Sequence, residues 1–183
     1  MRNAFLRLYQ MLKTNINHPS SFEENQRFTQ WWMWGIILLP FGIAQKACYD
    51  QFVLGVPFGN KPMTNTELIF FTLFGIGFAF FFWINQLKTK IAHHGIHVHF
   101  FPYTKRTLAW GEVDKFQVIP YGFVGGWGMR LWTQYGTVYN VRGGKGLYVQ
   151  LKNNKKFLVG TQQAEELERF ITALDPLSQV VAK

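Results

Sequence analysis

The stretch that decides the architecture of this chain is Leu68–Asn85, with the sequence LIFFTLFGIGFAFFFWIN. It carries no charged side chain, and the nearest charges on its two sides are Glu67 and Lys88. At about 1.5 Å per residue, a helix of this length nearly crosses a hydrocarbon core of about 30 Å. Its seven phenylalanines would cover every face of the helix, and a chain of 183 residues has little core in which to bury them. We therefore predict a transmembrane helix over about 67–87 rather than a buried core helix.

A second apolar stretch, Trp31–Ala44 (WWMWGIILLPFGIA), lies upstream and is extended by its uncharged neighbours. It predicts a second transmembrane helix over about 28–48, in which packing against a neighbouring helix tolerates Pro40. Tryptophans stand at one end of each stretch, as in the aromatic belts of membrane interfaces. The residues between, 49–66, are rich in glycine, proline and asparagine and predict a short extracytoplasmic loop. Together these features predict a two-helix transmembrane hairpin over 28–87.

The charge of the chain is distributed unevenly. The formal net charge is +9, of which +7 falls in residues 88–183 and none in residues 31–87. Because basic residues flank the two apolar stretches, the positive-inside rule places both termini in the cytoplasm. We therefore expect a multi-pass protein of the inner (cytoplasmic) membrane. Residues 1–27 predict a cytoplasmic amphipathic segment, which lies on the membrane or packs on the following domain, because one helix face holds Phe5, Leu8, Tyr9 and Leu12.

The remainder of the chain has the two-residue periodicity of β-strands. From residue 96 onward, apolar residues alternate with polar ones, and turn residues divide the sequence into about seven short strands. A final amphipathic stretch predicts an α-helix that begins near Thr161 and ends at Pro176. We therefore predict a mainly β cytoplasmic domain over 88–176, with a tail over 177–183. Its strands would form a curled sheet or barrel capped by this helix, whose apolar face contains Leu167, Phe170, Ile171 and Leu174.

Three segments of this β region resemble the bacterial pleckstrin-homology-like proteins. They are GIHVHFFPYTKRTLAWGEV from residue 95, YGFVGGWGMR from residue 121 and GLYVQLKNNKKFLVGTQQAEELERFI from residue 146. More closely, the chain resembles small membrane proteins in which two spans precede such a domain. The resemblance implies a fold and a topology, and it implies no reaction or ligand. The first loop of the domain offers Lys105 and Arg106 without an alternating basic pattern, which argues against specific phosphoinositide recognition.

A histidine cluster is the candidate metal site of the sequence. His93, His97 and His99 share the parity of one strand face, and imidazoles on one face can bind zinc, copper or nickel. A second group of cysteine, histidine or acidic residues that would complete the ligand set is missing from the sequence pattern. The alternative interpretation is a row of outward polar positions on an amphipathic strand.

The basic surface of the β region is the candidate anion site. Lys105, Arg106, Lys155 and Lys156 are the residues that we select for contact with anionic lipid head groups. A domain tethered to a membrane gains about 1 kcal/mol for each lysine or arginine near the anionic surface. We therefore expect the lipid bilayer as partner and do not expect nucleic acid. A solvated charged surface is the alternative.

Several chemistries find no support in the sequence. The single cysteine, Cys48, excludes an intrachain disulfide and a multi-cysteine metal centre. The glycines of residues 143–146 lack the spacing of a phosphate-binding loop, and no Gly-x-Ser-x-Gly elbow is present. We therefore expect neither an enzyme nor a cofactor.

Three functional hypotheses follow. The first is a non-enzymatic integral membrane protein that carries a cytoplasmic pleckstrin-homology-like module for binding or assembly. The second is a scaffold or accessory subunit of a membrane complex, with a protein partner or a second copy of the chain as its contact. The third is a metal-linked sensor or enzyme that uses the histidine cluster.

Overall fold

The computed structural model describes residues 20–181, with side chains described through Leu174, and it divides into two compact units. Residues 27–85 form the first, which we call the helical unit. Of the described residues, 20–26 and 86–181 form the second, which we call the β unit. The helical unit is therefore an insertion within the sequence of the β unit.

Two helices make up most of the helical unit. Helix α1 is Trp31–Cys48, followed by a π-helical turn over Tyr49–Val53, and helix α2 is Asn65–Ile84. A capping box starts α2, because the Thr64 hydroxyl accepts a bond from the Glu67 backbone N–H and the Glu67 carboxylate accepts one from the Thr64 backbone N–H.

The described chain has one helix that is long and apolar enough, by length and composition, to cross a membrane. That helix is α2, with a mean hydropathy of 2.0. Helix α1 does not qualify, because its tryptophans, Pro40, Gln45 and Lys46 lower its hydropathy. The difference is one of composition, since α1 is only slightly shorter than α2.

In the described part of the β unit, nine strands form two sheets. The four-stranded sheet has the order β1-β2-β3-β4, and the five-stranded sheet has the order β5-β8-β9-β7-β6, in which β7 and β9 are parallel. Helix α3, Ala164–Val181, follows the last strand. The strands of the first sheet are β1 Ser21–Arg27, β2 Gln86–Ala92, β3 Gly95–Phe101 and β4 Thr104–Ala109. Those of the second are β5 Val113–Pro120, β6 Gly128–Thr133, β7 Gly136–Asn140, β8 Lys145–Leu151 and β9 Lys156–Thr161.

The core of the β unit forms from the inward residues of both sheets and one face of α3. Phe100 of β3 packs edge-on against Tyr139 of β7, with ring centroids 6.4 Å apart. Phe22 of β1 contacts Phe170 of α3 at 6.3 Å. The predicted apolar face of the closing helix is confirmed, because Leu167, Phe170, Ile171 and Leu174 are all buried.

Strand β1 is attached to the core through polar side chains. The two oxygens of the Glu24 carboxylate accept hydrogen bonds from the Thr161 hydroxyl at 2.6 Å and from the Gln162 backbone N–H at 2.8 Å. The Gln26 amide donates to the Gly160 carbonyl at 2.7 Å. Because these buried polar groups form hydrogen bonds with one another, a strand with few apolar residues can still pack inside the domain.

The predicted fold class, a two-helix transmembrane hairpin followed by a pleckstrin-homology-like domain of about seven strands, is wrong. Of the described helices, only α2 is apolar enough to cross a membrane. The described residues contain nine strands in two sheets, eight of them from Gln86 onward, instead of about seven in one curled sheet or barrel, and they contain three α-helices. The first strand precedes the helices, so the helices are inserted into the β unit rather than placed before it.

Element boundaries differ as well. The helix expected over about 67–87 ends at Ile84, and Gln86 already begins β2. Helix α3, which was expected to end at Pro176, continues to Val181. Strands β8 and β9 pair antiparallel and form a hairpin. The amphipathic face expected from Phe5 to Leu12 lies outside the described residues.

Candidate functional site

The outer face of the four-stranded sheet carries a row of nitrogen-bearing side chains. Strand register places Lys88 of β2 directly opposite His99 of β3, and His99 directly opposite Lys105 of β4. Directly paired residues on one face of antiparallel strands have Cβ atoms about 4.5–5.5 Å apart. The two ammonium groups therefore flank one imidazole, and we call these three residues the basic row.

A shallow groove of about 400 Å³ runs over this face. Burial alternates along β2 and β3, so the residues of the basic row lie on the side away from the core. We call this groove the basic groove. Its lining residues are Glu23, Glu24, Asn25, Lys88, Thr89, Lys90, His97, Val98, His99, Lys105 and Arg106.

A second row beside the first has internal partners. Lys90 is opposite His97, and His97 is opposite Thr107. The Lys90 ammonium pairs with the Glu23 carboxylate at 2.6 Å, and His97 Nδ1 lies 3.0 Å from the Thr107 hydroxyl. The hydrogen bond and the charge of Lys90 lower the pKa of Glu23 below its ordinary value. Among the described side chains, Lys88, Lys105 and Arg106 form no ion pair, so the unpaired positive charge of the groove comes from the basic row and Arg106.

The four residues predicted to bind lipid do not converge as one site. Lys105 lies in the basic row, but the Arg106 guanidinium packs over the rings of Phe157 at 5.2 Å and Tyr139 at 6.0 Å in the other sheet. Successive residues of a strand point to opposite faces, so the two side chains leave β4 on different sides, although both residues line the basic groove. Lys155 lies in the turn between β8 and β9, and Lys156 is the first residue of β9, in the five-stranded sheet.

The three histidines predicted to bind metal are also divided. His93 lies in the turn between β2 and β3, whereas His97 and His99 lie within β3. The His97 ring lies beside that of His94, which is in the same turn as His93, with ring centroids 5.1 Å apart. Within residues 20–181, no three histidine, cysteine or acidic side chains are grouped so that they could hold a metal ion.

Sequence reasoning missed Lys88 and Lys90 as site residues. The signal was present, because the alternation Lys88-Thr89-Lys90 is that of a strand with one basic face. This alternation was overlooked because the predicted transmembrane helix extended to residue 87, directly before it. Glu23 was missed because its strand is distant in sequence from the strand it faces.

No protein-family model matches this chain, and no curated protein matches it. The resemblance to bacterial pleckstrin-homology-like proteins therefore stays a prediction. The structure itself defines the class of protein. It is a two-sheet β unit that has a basic outer face and is interrupted in sequence by an apolar helical unit. Ammonium and imidazole groups placed side by side can hold the oxygens of an anion such as a phosphate.

Proposed function

We propose that this protein is a non-enzymatic membrane protein whose β unit binds anionic lipid head groups in the basic groove. The single observation that carries the proposal is the basic row, in which Lys88 and Lys105 flank His99 across three paired strands. Two ammonium groups without an ion pair among the described side chains, beside an imidazole, offer several N–H donors to one phosphate.

The helical unit supports a lipid as the anion. Helix α2 is apolar at nearly every position after Glu67, and most of its large side chains are exposed. Only three residues separate the end of α2 at Ile84 from Lys88, so a membrane that holds α2 stays close to the strand that supplies the basic row. The inner membrane presents an anionic cytoplasmic surface, where each lysine contributes about 1 kcal/mol. We place the β unit on that side.

The full-length protein in neutral detergent provides the test. We expect it to retain short-chain phosphatidylglycerol in preference to phosphatidylcholine, measured by native mass spectrometry or calorimetric titration. The double variant Lys88→Glu/Lys105→Glu should weaken phosphatidylglycerol binding at least about tenfold, because two attractive charges become repulsive.

The matched control is Lys152→Glu/Lys155→Glu, which makes the same charge change on the β8–β9 hairpin. Equal losses in both double variants would show a diffuse charge effect and remove the basic groove as the site. Equal retention of the two lipids by the natural chain would reject the proposal. The scaffold hypothesis would then be tested by cross-linking in native membranes.

A further inference from the structure

The exposed apolar side chains of the β unit are concentrated on one edge. Phe123 is 83% exposed and Trp132 is 93% exposed, and Leu131 is about half exposed. Leu131 and Trp132 belong to β6, and Phe123 lies in the loop that precedes this strand. Strand β6 is the outermost strand of the five-stranded sheet. We call these three residues the apolar edge.

The backbone of β6 presents these side chains outward. The pairing of β6 with β7 is interrupted by a register shift between Arg130 and Thr133, so Leu131 and Trp132 lie in an irregular segment. Trp132 has φ 55°, a conformation that bulky residues rarely adopt. Strain of this kind persists only where the surrounding structure enforces it.

The turn that follows Trp132, residues 133–136, holds this backbone conformation in place. The Thr133 hydroxyl accepts a bond from the Tyr135 backbone N–H at 3.1 Å and donates one to the Gly136 carbonyl at 2.8 Å. Gly136 has φ 77°, and a Cβ atom there would lie 2.1 Å from the Lys156 carbonyl oxygen. Only glycine fits at this position, so β9 fixes the turn that holds Trp132 away from the core.

The chemistry of the edge points to a bilayer surface. Residues 115–164, which contain almost the whole five-stranded sheet, hold seven lysines and arginines and no acidic residue. Tryptophan and phenylalanine beside basic residues are typical of surfaces that enter the interfacial layer of an anionic membrane. The register shift in β6 also disfavours addition of another strand to this edge.

We propose that the apolar edge inserts into the interfacial layer of an anionic phospholipid bilayer. The inference rests on the proposed function in one respect, which is that the β unit lies against its own membrane. It adds a second contact that depends on apolar burial and therefore resists salt, whereas contact through the basic groove weakens with salt.

The test uses the full chain in lipid nanodiscs that contain phosphatidylcholine and phosphatidylglycerol. In a Cys48→Ser background, Leu131→Cys carries a polarity-sensitive fluorophore, and quenching by spin-labelled lipids reports its depth. Glu166→Cys, an exposed site on α3, is the reference position. We expect quenching at position 131 to exceed that at position 166 at least about threefold and to persist in high salt.

Two further variants make the result specific. Adding Trp132→Asn should reduce the quenching at position 131 at least about twofold, because asparagine tolerates the positive φ but lacks the aromatic ring. Adding Phe101→Ser, which removes an exposed aromatic residue from the other sheet, should leave the quenching unchanged.

Equal, water-like fluorescence at positions 131 and 166 would overturn the inference. If this occurs while phosphatidylglycerol retention still requires Lys88 and Lys105, the proposed function stands without the apolar edge. If quenching is observed but the retention fails, the apolar edge stands and the basic groove is rejected. Cross-linking of position 131 to a second protein, without quenching, would assign the edge to protein contact and also overturn the inference.

Discussion

The two units of this chain use apolar residues in opposite ways. Of the 28 large hydrophobic side chains exposed in the described residues, 22 belong to the helical unit. Of the 28 buried hydrophobic residues, 23 belong to the β unit. A water-soluble domain hides its large apolar side chains, so the β unit behaves as an ordinary domain, and the exposed apolar surface of the helical unit is the part that our proposal assigns to the membrane.

The difference originates in sequence periodicity. Strands such as β2 and β3 alternate polar and apolar residues and bury one face. Helix α2 is apolar at nearly every position and buries only Leu68. The apolar edge holds the two most exposed large apolar side chains described in the β unit, Phe123 and Trp132, which is why our proposal assigns it to a membrane contact.

The largest expected effect comes from a cysteine-labelling experiment that tests whether β1 and β2, which flank the helical unit in sequence, belong to one sheet. Strands β1 and β2 flank the helical unit in sequence and belong to one sheet, so the residues on both sides of it must lie in the same compartment. In a Cys48→Ser background, we expect Asn25→Cys and Lys88→Cys to react with a membrane-impermeant maleimide from the same side of sealed vesicles. Reaction from opposite sides would contradict the four-stranded sheet.

A charge in the middle of α2 should have the next largest effect. Phe74 is strongly exposed near the centre of this helix. Lysine at the centre of a membrane helix costs about 2.5–3.5 kcal/mol, so Phe74→Lys should remove most of the protein from the carbonate-resistant membrane fraction. Glu166→Lys on α3 is the control and should leave that fraction unchanged. Full retention of Phe74→Lys would show that this surface does not contact lipid.

Removing a buried carboxylate should destabilise only the β unit. Glu24→Ala leaves the Thr161 hydroxyl and the Gln162 N–H without their buried acceptor, which costs about 1–3 kcal/mol. We expect a lower midpoint in thermal unfolding of the full chain in detergent. Glu23→Ala on the same strand removes an exposed carboxylate and should have a much smaller effect. Equal midpoints for the two variants would refute the structural role of Glu24.

The smallest expected effect concerns the charge balance of the basic groove. Glu23→Gln releases Lys90 and should strengthen phosphatidylglycerol binding roughly two- to fivefold at pH 7. Pairing with Lys90 lowers the pKa of Glu23, so the ion pair stabilises the folded protein at pH values above the ordinary glutamate range. This stabilisation is lost as the pH falls through the lowered pKa. The difference between variant and natural chain should therefore disappear at acidic pH. Glu165→Gln on α3 serves as the control, and an equal gain there would indicate a non-specific charge effect.

Much of the fold follows from local patterns, and the candidate site follows from them only in part. The apolar length of α2, the alternation in β3 and the apolar face of α3 each repeat within a few residues, and each indicated its element. Lys105 was recognised as basic, but its separation from Arg106 depends on which face of β4 meets the other sheet.

The sequence alone determined that one part of this chain is apolar throughout and that another part alternates apolar and polar residues, because periodicity can be recognised from neighbouring residues. Only the tertiary structure decided that Ser21–Arg27 is a strand of the β unit, since its burial depends on partners more than 130 residues away. It also decided that the helical unit is an insertion and that Lys88, His99 and Lys105 form one row. Strand pairing joins distant segments through hydrogen bonds that leave no local mark in the sequence.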